Sequence, residues 1–355
     1  MKKNNFASIL SDIDSDLQRR FSSKLPQWYA AGCSIPSTLA LEQCSSEVTA
    51  AYKAALVSGT LCDLTGGMGV DSFAFSKVCT KVYYTERDPQ IAGTAEENFR
   101  KLGASNIECR CAETGPDTDI PECEWIYLDP ARRSGTGKKV FLLEDCSPDV
   151  TRLMPELWRR CSNIMIKLSP MADISMVASR LGEGLKEVHV VGFRSEVKEL
   201  LCILEKGFAG EYSIIAAEAD GGCRFSFLPS EEREKKLETA VAEAGGILFE
   251  PAPILLKAGA FKSIGLPQLS RSTHLYIGET ELPGKRFRII EVLPFDKESF
   301  RYAGSRYPRA EVSAKNVPMT SEELRRRLKV TSGGSIHIFG VGTEDSRQLI
   351  ISEAF

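Results

Sequence analysis

The sequence predicts an α/β protein whose centre is a doubly wound, mainly parallel sheet, with a helical extension before it and α+β modules after it. Three observations predict this fold. Apolar residues recur at helical spacing over residues 1 to about 58. Short apolar runs then alternate with helical stretches up to about residue 205, as strands and helices do in a doubly wound sheet. From about residue 206 that alternation stops, and strand-like and helical segments follow in another order.

The first segment has a helical pattern in which Leu17 continues the apolar spacing of four earlier residues, Phe6, Ile9, Leu10 and Ile13. The predicted strands of the sheet are Thr60–Leu64, Lys81–Thr85, Ile107–Cys111, Trp125–Leu128, Ile164–Leu168 and Val188–Val191. The segments DPQIAGTAEENFRKLG and SPDVTRLMPELWRRC are predicted helices between strands, and Gly103 stops the first of them. The run Glu199–Glu205 follows without a long helix, so we expect it to pair antiparallel at one edge of the sheet.

The last third of the chain has a different pattern. EYSIIAAEADGGCRFSFLPS predicts two strands around Gly221-Gly222, and SEEREKKLETAVAEAG predicts a helix. Strand-like runs recur in HLYIGE, FRIIEVLPF, SIHIFGVG and RQLIISEAF. MTSEELRRRLKV predicts a helix that begins with Thr320 and Glu323 placed as a capping box.

Composition is typical of a globular protein, with 43% hydrophobic and 26% charged residues. The length of 355 residues predicts two or three domains. No apolar run is long enough to span a membrane, and the N-terminus MKKNNFASILSDIDSDLQRR lacks the apolar centre of a signal peptide. We therefore expect a cytoplasmic protein with no membrane partner.

Cysteine and histidine usage argues against a metal site. The eleven cysteines are scattered and odd in number, and the three histidines are His189, His274 and His337. Zinc needs tighter ligand spacing than this. We expect reduced thiols, no metal and no histidine-based mechanism.

Charge is distributed unevenly along the chain. The formal net charge is −3, yet Lys285 to Val330 holds twelve Lys or Arg against six Asp or Glu. A basic module on an otherwise acidic body is suited to holding a polyanion.

A glycine loop follows the first predicted strand in LCDLTGGMGVDSF. Glycines let the backbone approach a ligand closely and adopt positive φ. A nicotinamide fingerprint, G-x-G-x-x-G, is not completed here, because Ser72 stands where its third glycine would be. Asp63 at the strand end is badly placed for a pyrophosphate and well placed for a cationic amine. S-adenosylmethionine has an α-ammonium group and no phosphate, so the loop favours this methyl donor.

The next two strand ends are also polar. Glu86 lies 23 residues beyond Asp63, where a carboxylate can accept both ribose hydroxyls of a nucleoside cofactor. The third strand ends in CRCAET, where Glu113 or the backbone at Ala112 can meet the adenine amine.

Three motifs carry a family resemblance. DLTGGMGVD, YTERDP and YLDPARR resemble the first, second and fourth motifs of class I S-adenosylmethionine-dependent methyltransferases, over roughly residues 40 to 205. LEQCSSEVTA, DPARR and IKLSP together resemble a bacterial group of predicted methyltransferases with a THUMP-like C-terminal domain. The catalytic domain of that group is related to trimethylguanosine synthase. The resemblance implies a Rossmann-like methyltransferase sheet that binds S-adenosylmethionine.

The resemblance also implies a set of cofactor-binding residues. They are Asp63, Gly66, Gly67, Gly69, Glu86, Ala112 and Glu113, with Thr65 inside the glycine loop. The chain departs from many relatives at the third strand end, where Cys111 replaces an Asp and leaves the adenine contact open.

The predicted domain organisation has four parts. They are a helical extension (1–50), a methyltransferase domain (51–205), a small ferredoxin-like domain (206–280) and a THUMP-like domain (281–355). FRIIEVLPF, RYPRAEVSAKNVP and EELRRRLKV are similar to the THUMP-like domain of the group, and the segment before them resembles its ferredoxin-like domain.

Asp129 ends the fourth predicted strand in WIYLDPARR, at the edge where doubly wound sheets bind ligands. Related enzymes that methylate exocyclic amines of bases carry [D/N]-P-P-[Y/F/W] here. The carboxylate accepts the amine hydrogens, and the aromatic ring stacks on the base. This chain keeps Asp129 and Pro130, but Ala131 and Arg132 replace the rest. We predict that Asp129 and Pro130 are catalytic and that Arg132 stacks on a base or binds a phosphate. The alternative is a solvated loop formed by Arg132, Arg133, Lys138 and Lys139.

Lys167 gives a second possibility for the acceptor, because a lysine is unusual in the apolar fifth strand, IMIKLSP. An acid after the fourth strand and a lysine on the fifth resemble ribose 2′-O-methyltransferases, in which lysine lowers the pKa of the hydroxyl. That arrangement needs another Lys and a Glu, for which Lys53 and Glu196 are loose candidates. The alternative is that Lys167 has a structural role. Its ammonium group would then form a salt bridge, or only its aliphatic chain would be buried while the ammonium group reaches water.

We therefore predict a cytoplasmic S-adenosylmethionine-dependent methyltransferase that modifies a base nitrogen of a structured RNA, such as tRNA or rRNA. The open alternatives are a ribose 2′-O-methyltransferase, a small-molecule methyltransferase and a non-catalytic RNA-binding protein with the cofactor fold. The predicted RNA-binding residues are Arg301, Arg306, Arg309, Lys315, Arg325 and Arg326, with Tyr302 and Tyr307 interleaved. For the arginines around residue 326, the alternative to RNA binding is that they form a solvated face of a helix.

Overall fold

A computed structural model describes residues 15–132 and 143–355. The chain divides into two compact units, Met1–Arg224 and Phe225–Phe355. The apolar positions that we predicted to be helical before residue 15, and Arg133, Lys138 and Lys139, lie outside the described residues. None of the helices in the described ranges is long and apolar enough to cross a membrane.

The first unit contains the predicted α/β sheet. Its helices are α1 (residues 15–24), α2 (Pro26–Ala30), α3 (Thr38–Gln43), α4 (Glu47–Ala54), α5 (Val70–Ser76), α6 (Pro89–Lys101), α7 (Val150–Arg160) and α8 (Ile174–Leu181). Its strands are β1 (Thr60–Asp63), β2 (Lys81–Glu86), β3 (Ile107–Cys111), β4 (Trp125–Leu128), β5 (Ala131–Arg132), β6 (Cys146–Ser147), β7 (Asn163–Leu168), β8 (Leu185–Phe193), β9 (Glu196–Glu205) and β10 (Ser213–Glu218). The next strand, β11 (Arg224–Phe227), begins at the last residue of this unit.

Nine strands form one sheet in the order β11-β10-β8-β9-β7-β4-β1-β2-β3. Strands β3, β2, β1, β4 and β7 pair in parallel, which confirms the predicted doubly wound sheet. The prediction that Glu199–Glu205 lies at an edge was wrong, because β9 pairs antiparallel with both β7 and β8. Six consecutive residues of β9 are buried, as expected of a strand covered on both faces and paired on both sides.

Sequence signals explain how the N-terminal helices form and pack. Helix α4 begins with a capping box, in which Ser46 and Thr49 bond each other's main-chain N–H groups. Trp28 of α2 is fully buried and packs edge-on against Phe73 of α5 and Phe99 of α6, with ring centroids 5.8 and 6.5 Å away. The described part of the helical extension is therefore packed into the core of the first unit.

The second unit has helices α9 (Pro229–Glu234), α10 (Pro253–Ala258), α11 (Lys297–Arg306) and α12 (Ser321–Leu328). Its strands are β12 (Ile247–Pro251), β13 (Tyr276–Ile277), β14 (Gly284–Pro294), β15 (Glu311–Lys315), β16 (Ile336–Gly342) and β17 (Arg347–Ala354). Six of them form one sheet in the order β13-β12-β14-β17-β16-β15. Residues 206–280 are divided between the two sheets, so the boundaries predicted at 205 and 280 do not coincide with a break between sheets. The four-domain division stays a prediction.

One predicted helix of this region is largely absent. SEEREKKLETAVAEAG is helical only as far as Glu234, and Lys235 leaves the helical conformation. No residue of α9 is buried. A short helix without a buried apolar face has little to stabilise it, however favourable its residues. The capping box of α12 at Thr320 and Glu323 forms as predicted.

Candidate functional site

A cleft of about 860 Å³ lies at the carboxyl ends of β1, β2, β4 and β7 in the first unit. This volume is typical of sites for cofactors and small ligands. The glycine loop after β1 forms one wall, and the turns after β4 and β7 form another. The connection from α3 to α4, through Cys44 and Ser45, also lines the cleft.

The loop between β1 and α5 requires its glycines. Gly67 and Gly69 have φ of +53° and +84°, in the left-handed region. A Cβ atom on Gly66 would lie 2.1 Å from the ring of Tyr84, and one on Gly69 would lie 2.4 Å from the ring of Phe99. The chain therefore keeps bare backbone along this wall of the cleft, where a ligand can approach closely.

Asp63 organises this loop from a buried position. Its carboxylate accepts hydrogen bonds from the main-chain N–H of Thr65 at 3.0 Å and from Oγ of Ser72 at 2.5 Å. Burial raises the pKa of Asp63 to about 7, against the opposing effect of these two bonds. Asp63 does not itself line the cleft, so its predicted contact with a cationic amine stays a prediction.

The predicted ribose and adenine residues line the cleft. Glu86 accepts main-chain N–H bonds from Gly67 at 2.9 Å and from Asp88 at 2.8 Å, one on each carboxylate oxygen. Ala112 and Glu113 line the same end, whereas Cys111 does not. Each carboxylate oxygen has a second lone pair, so Glu86 is able to accept a ligand hydroxyl as well.

Thr65 and Asp129 join the glycine loop to the end of β4. The main-chain N–H of Asp129 donates to Oγ1 of Thr65 at 2.6 Å. Pro130 is buried and lines the cleft. The backbone of Arg132 belongs to β5, which pairs antiparallel with β6, but its side chain lies outside the described part of the chain.

Asp129 and Lys167 form an ion pair in the cleft. Nζ of Lys167 donates to Oδ2 of Asp129, and the side chains are 13% and 36% exposed, respectively. Burial lowers the pKa of Lys167, but the carboxylates of Asp129, Asp71 and Glu199 outweigh burial and raise it above its usual value. Lys167 is therefore a fixed cation beside the acid at the end of β4.

A second, fully buried lysine lies behind this pair. Nζ of Lys53 is 2.6 Å from Oε1 of Glu199 and 3.3 Å from Oδ1 of Asp71. Oδ2 of Asp71 accepts hydrogen bonds from Ser45 at 2.8 Å and from Tyr127 at 2.9 Å. These contacts join helices α4 and α5 to strands β4 and β9.

The buried acids respond differently to this environment. Burial raises the pKa of Glu199 despite Lys53 and Lys167. Burial alone would raise the pKa of Asp71 as well. Lys53 and Lys167 outweigh burial, so the pKa of Asp71 lies below its usual value. We call Lys53, Asp71, Asp129, Lys167 and Glu199 the acid–lysine cluster.

Sequence reasoning missed two members of the acid–lysine cluster. It considered Glu196, which is exposed and pairs with Lys198, whereas Glu199 contacts Lys53. It did not consider Asp71 at all. One signal was available for Glu199, which directly precedes the apolar run LLCIL and is 3% exposed. No group of His, Cys, Asp or Glu in the described ranges is arranged to hold a metal.

The predicted RNA-binding residues lie in the second unit and differ in their contacts. Lys315 pairs with Glu250 at 2.7 Å, and Arg325 pairs with Glu322 at 2.6 Å. Arg306 contacts the hydroxyl of Tyr307 at 3.1 Å. The exposed remainder is Arg301, Arg309 and Arg326.

Comparisons with known proteins agree with this architecture. The THUMP domain-like family matches residues 284–354. The crystal structure of a putative methyltransferase from Porphyromonas gingivalis W83 is 31% identical, with a TM-score of 0.86, over 96% of this chain and 88% of that one. The doubly wound sheet with its glycine loop defines the class I methyltransferase fold. This chain belongs to the class I methyltransferase family that carries a THUMP-like C-terminal domain.

More distant structures share only part of the chain. A tRNA m1G37 methyltransferase from M. jannaschii is 11% identical, covers 46% of this chain and 50% of that one, and has a TM-score of 0.33. A putative methyltransferase from Streptococcus mutans in complex with SAH is 12% identical, covers 45% and 96%, and also has a TM-score of 0.33. Similarity at this level says nothing about the substrate of this chain. No curated protein matches the sequence.

Proposed function

We propose that this protein transfers a methyl group from S-adenosylmethionine to a nucleotide of a structured RNA. The cleft fits the donor, because Gly66, Gly67 and Gly69 present backbone without side chains to it and Glu86, the residue proposed to bind the ribose, lines it. When bound, S-adenosylmethionine supplies an electrophilic methyl group. Glu86, Ala112, Glu113 and the loop after β1 are the proposed binding residues.

The observation that carries the proposal is the Asp129–Lys167 ion pair in the same cleft as the glycine loop. Oδ2 of Asp129 is engaged by the lysine, so Oδ1 is the oxygen proposed to accept a hydrogen bond from the acceptor. Both groups approach from strand ends and are fixed by buried neighbours. Positioning of this kind lowers a barrier by as much as about 7–11 kcal/mol when the geometry is good.

Two acceptors match this arrangement. The first is the base nitrogen predicted from the sequence, for which Asp129-Pro130 supports an amine held by the carboxylate. A nitrogen that attacks the donor gains positive charge, and the adjacent ammonium of Lys167 disfavours that charge. The base-nitrogen acceptor therefore stays a prediction.

The ribose 2′-hydroxyl is the acceptor that the ion pair favours, and we rank it first. A hydroxyl develops negative charge as it loses its proton, and a fixed cation stabilises that charge. Asp129 is the group proposed to accept the hydroxyl proton. A second Lys and a Glu are present in the Lys53–Glu199 pair, but both residues are buried and neither lines the cleft, so we propose that they act through Lys167 and do not contact the acceptor.

The RNA partner is supported by the THUMP domain-like match and by exposed arginines in the same unit. RNA binding through phosphates weakens with salt, by about 0.7 of a log unit per contact for a single strand.

Transfer of labelled methyl from S-adenosylmethionine to total cellular RNA, followed by nucleoside analysis, tests the proposal. We expect label in a 2′-O-methylated nucleoside. Label in a methylated base would show that the acceptor is a base nitrogen and not the ribose hydroxyl. If no nucleoside carries label although calorimetry shows that S-adenosylmethionine binds, RNA is not the substrate.

A further inference from the structure

Among the described residues, the cleft offers little aromatic surface for a nucleobase. Tyr127 is the single aromatic residue among the described residues that line it. Its side chain is 1% exposed, its hydroxyl donates to Asp71, and its ring packs edge-on against Phe75 at 5.1 Å. Tyr127 therefore has no free ring face for stacking. Enzymes that bind single nucleotides usually hold the base against an aromatic or apolar side chain.

Met171 supplies an apolar group at the same cleft. It lies three residues beyond the end of β7, on the turn that leads from Lys167 to α8, and it lines the cleft. Its relative exposure is 82%, the largest among the exposed large hydrophobic residues of the described chain. A methionine this exposed contributes little to the core, so its side chain is available to contact a ligand in the cleft.

The turn that carries Met171 is held on both sides. The main-chain N–H of Met171 donates to Oγ of Ser169 at 3.2 Å, and that of Ala172 donates to the carbonyl of Ser169 at 3.0 Å. Ala172 is fully buried, and Asp173 caps the first turn of α8 by accepting from Met176. The backbone is thus fixed while the thioether projects toward solvent, so little backbone entropy is lost when Met171 makes a contact.

We propose that Met171 is a substrate-binding residue that packs its thioether against the face of the acceptor nucleobase while Asp129 and Lys167 hold the reacting group. The proposal rests on the RNA methyltransferase function above. A methionine side chain is polarisable and adapts its shape, and its sulfur contacts aromatic rings favourably. Since every base has a π face, Met171 orients the nucleotide without selecting its identity.

Met171→Ala in the full-length protein tests the contact by kinetics. We expect the half-saturating concentration of total cellular RNA in methyl transfer to rise roughly ten-fold, the size of a lost base contact. Half-saturation by S-adenosylmethionine and the melting temperature should not change, because Met171 is exposed and is not one of the proposed donor-binding residues. Met171→Phe should restore the wild-type value. Met176→Ala is the matched control, since Met176 lies on α8, is 39% exposed and does not line the cleft.

A second measurement does not depend on methyl transfer. Met171→Trp introduces an indole at the proposed contact, and binding of total cellular RNA should quench its fluorescence. The same titration of Met176→Trp should give no additional quenching over wild type. Equal quenching in the two variants, or equal RNA half-saturation in the two alanine variants, overturns the role of Met171 and leaves the proposed function standing. Absence of methyl transfer to RNA by the wild type would instead overturn both.

Discussion

Oγ1 of Thr65 accepts a 2.6 Å hydrogen bond from the main-chain N–H of Asp129, and this bond ties the glycine loop to the end of β4. Strands β1 and β4 are neighbours in the sheet, so the bond joins the segments that follow two adjacent strands. The wall proposed to hold the methyl donor and the residue proposed to hold the acceptor are therefore fixed to each other.

Thr65→Val keeps the shape of the side chain and removes this acceptor. An unsatisfied, partly buried N–H costs about 1–3 kcal/mol, so we expect a lower melting temperature and slower methyl transfer. Thr94→Val in α6 is the control, because its hydroxyl bonds only the carbonyl of Gln90 within its own helix. Calorimetry and single-turnover kinetics measure the two effects. A variant as stable and active as Thr94→Val would show that the bond is dispensable.

Lys53→Met leaves two carboxylates, Glu199 and Asp71, without the cation that contacts both. Removing one partner of a buried ion pair destabilises a protein by roughly 3–5 kcal/mol, and chemical denaturation measures this loss. The double variant Lys53→Met with Glu199→Met should recover part of the stability. Lys186→Met removes an exposed lysine paired with Glu205 and should change stability by less than about 1 kcal/mol. Similar losses for the two lysines would contradict the buried pairing.

Lys167→Met should abolish most methyl transfer while S-adenosylmethionine still binds, because the lysine contacts Asp129 and not the glycine loop. Lys186→Met, which lies outside the cleft, serves again as the matched control. Calorimetry with the donor separates binding from transfer. Retained transfer in Lys167→Met would assign the lysine a purely structural role.

We expect Asp63 to make the stability of the fold depend on pH. Its pKa of about 7 in the folded protein lies above the ordinary value of 3.8, so the folded state holds the proton over a range in which the unfolded state has lost it. Stability contributed by this group is therefore present below pH 4 and decreases as the pH rises from about 4 to 7. Asp63→Asn should remove that slope in thermal unfolding, while Asp117→Asn, at an exposed position, should retain it. An unchanged slope in Asp63→Asn would contradict the raised pKa.

The exposed arginines of the second unit provide a test of RNA binding. Arg301→Ala with Arg326→Ala should weaken RNA binding and lower the slope of log affinity against log salt by roughly 0.7 per lost phosphate contact. S-adenosylmethionine binding should not change. Arg159→Ala, which removes an exposed arginine paired with Glu156 on α7, is the control. Equal salt slopes in the control and the double variant would show that these arginines do not contact RNA phosphates.

The sequence was a good guide to local structure and a poorer guide to pairing over long distances. Trp125–Leu128 and Ile107–Cys111 are strands with the bounds we predicted, because a short apolar run between turns leaves few other structures. The helix predicted for SEEREKKLETAVAEAG does not extend beyond Glu234, because the residues that are helical bury no apolar side chain. The pattern of residues within one segment does not report what the rest of the chain packs against that segment.

The same limit applies to the site. Gly67, Gly69, Glu86 and Asp129 could be assigned to the cleft because each follows a strand and meets its neighbours at one edge. The pairing of Glu199 could not be predicted, because its partner Lys53 is 146 residues away and the insertion of β9 between β7 and β8 has no local signature. The interior position of β9 brings Glu199 to the acid–lysine cluster.

The acid–lysine cluster also predicts the smallest fragment that we expect to be active. Lys53 is supplied by α4, before the first strand of the sheet, and Ser45 lies just ahead of that helix. A fragment beginning at β1 would retain the complete glycine loop and the Asp129–Lys167 pair, but Glu199 and Asp71 would be left as buried anions without their cation. We therefore expect the minimal catalytic unit of this protein to begin upstream of Ser45 and to include the helices before the sheet.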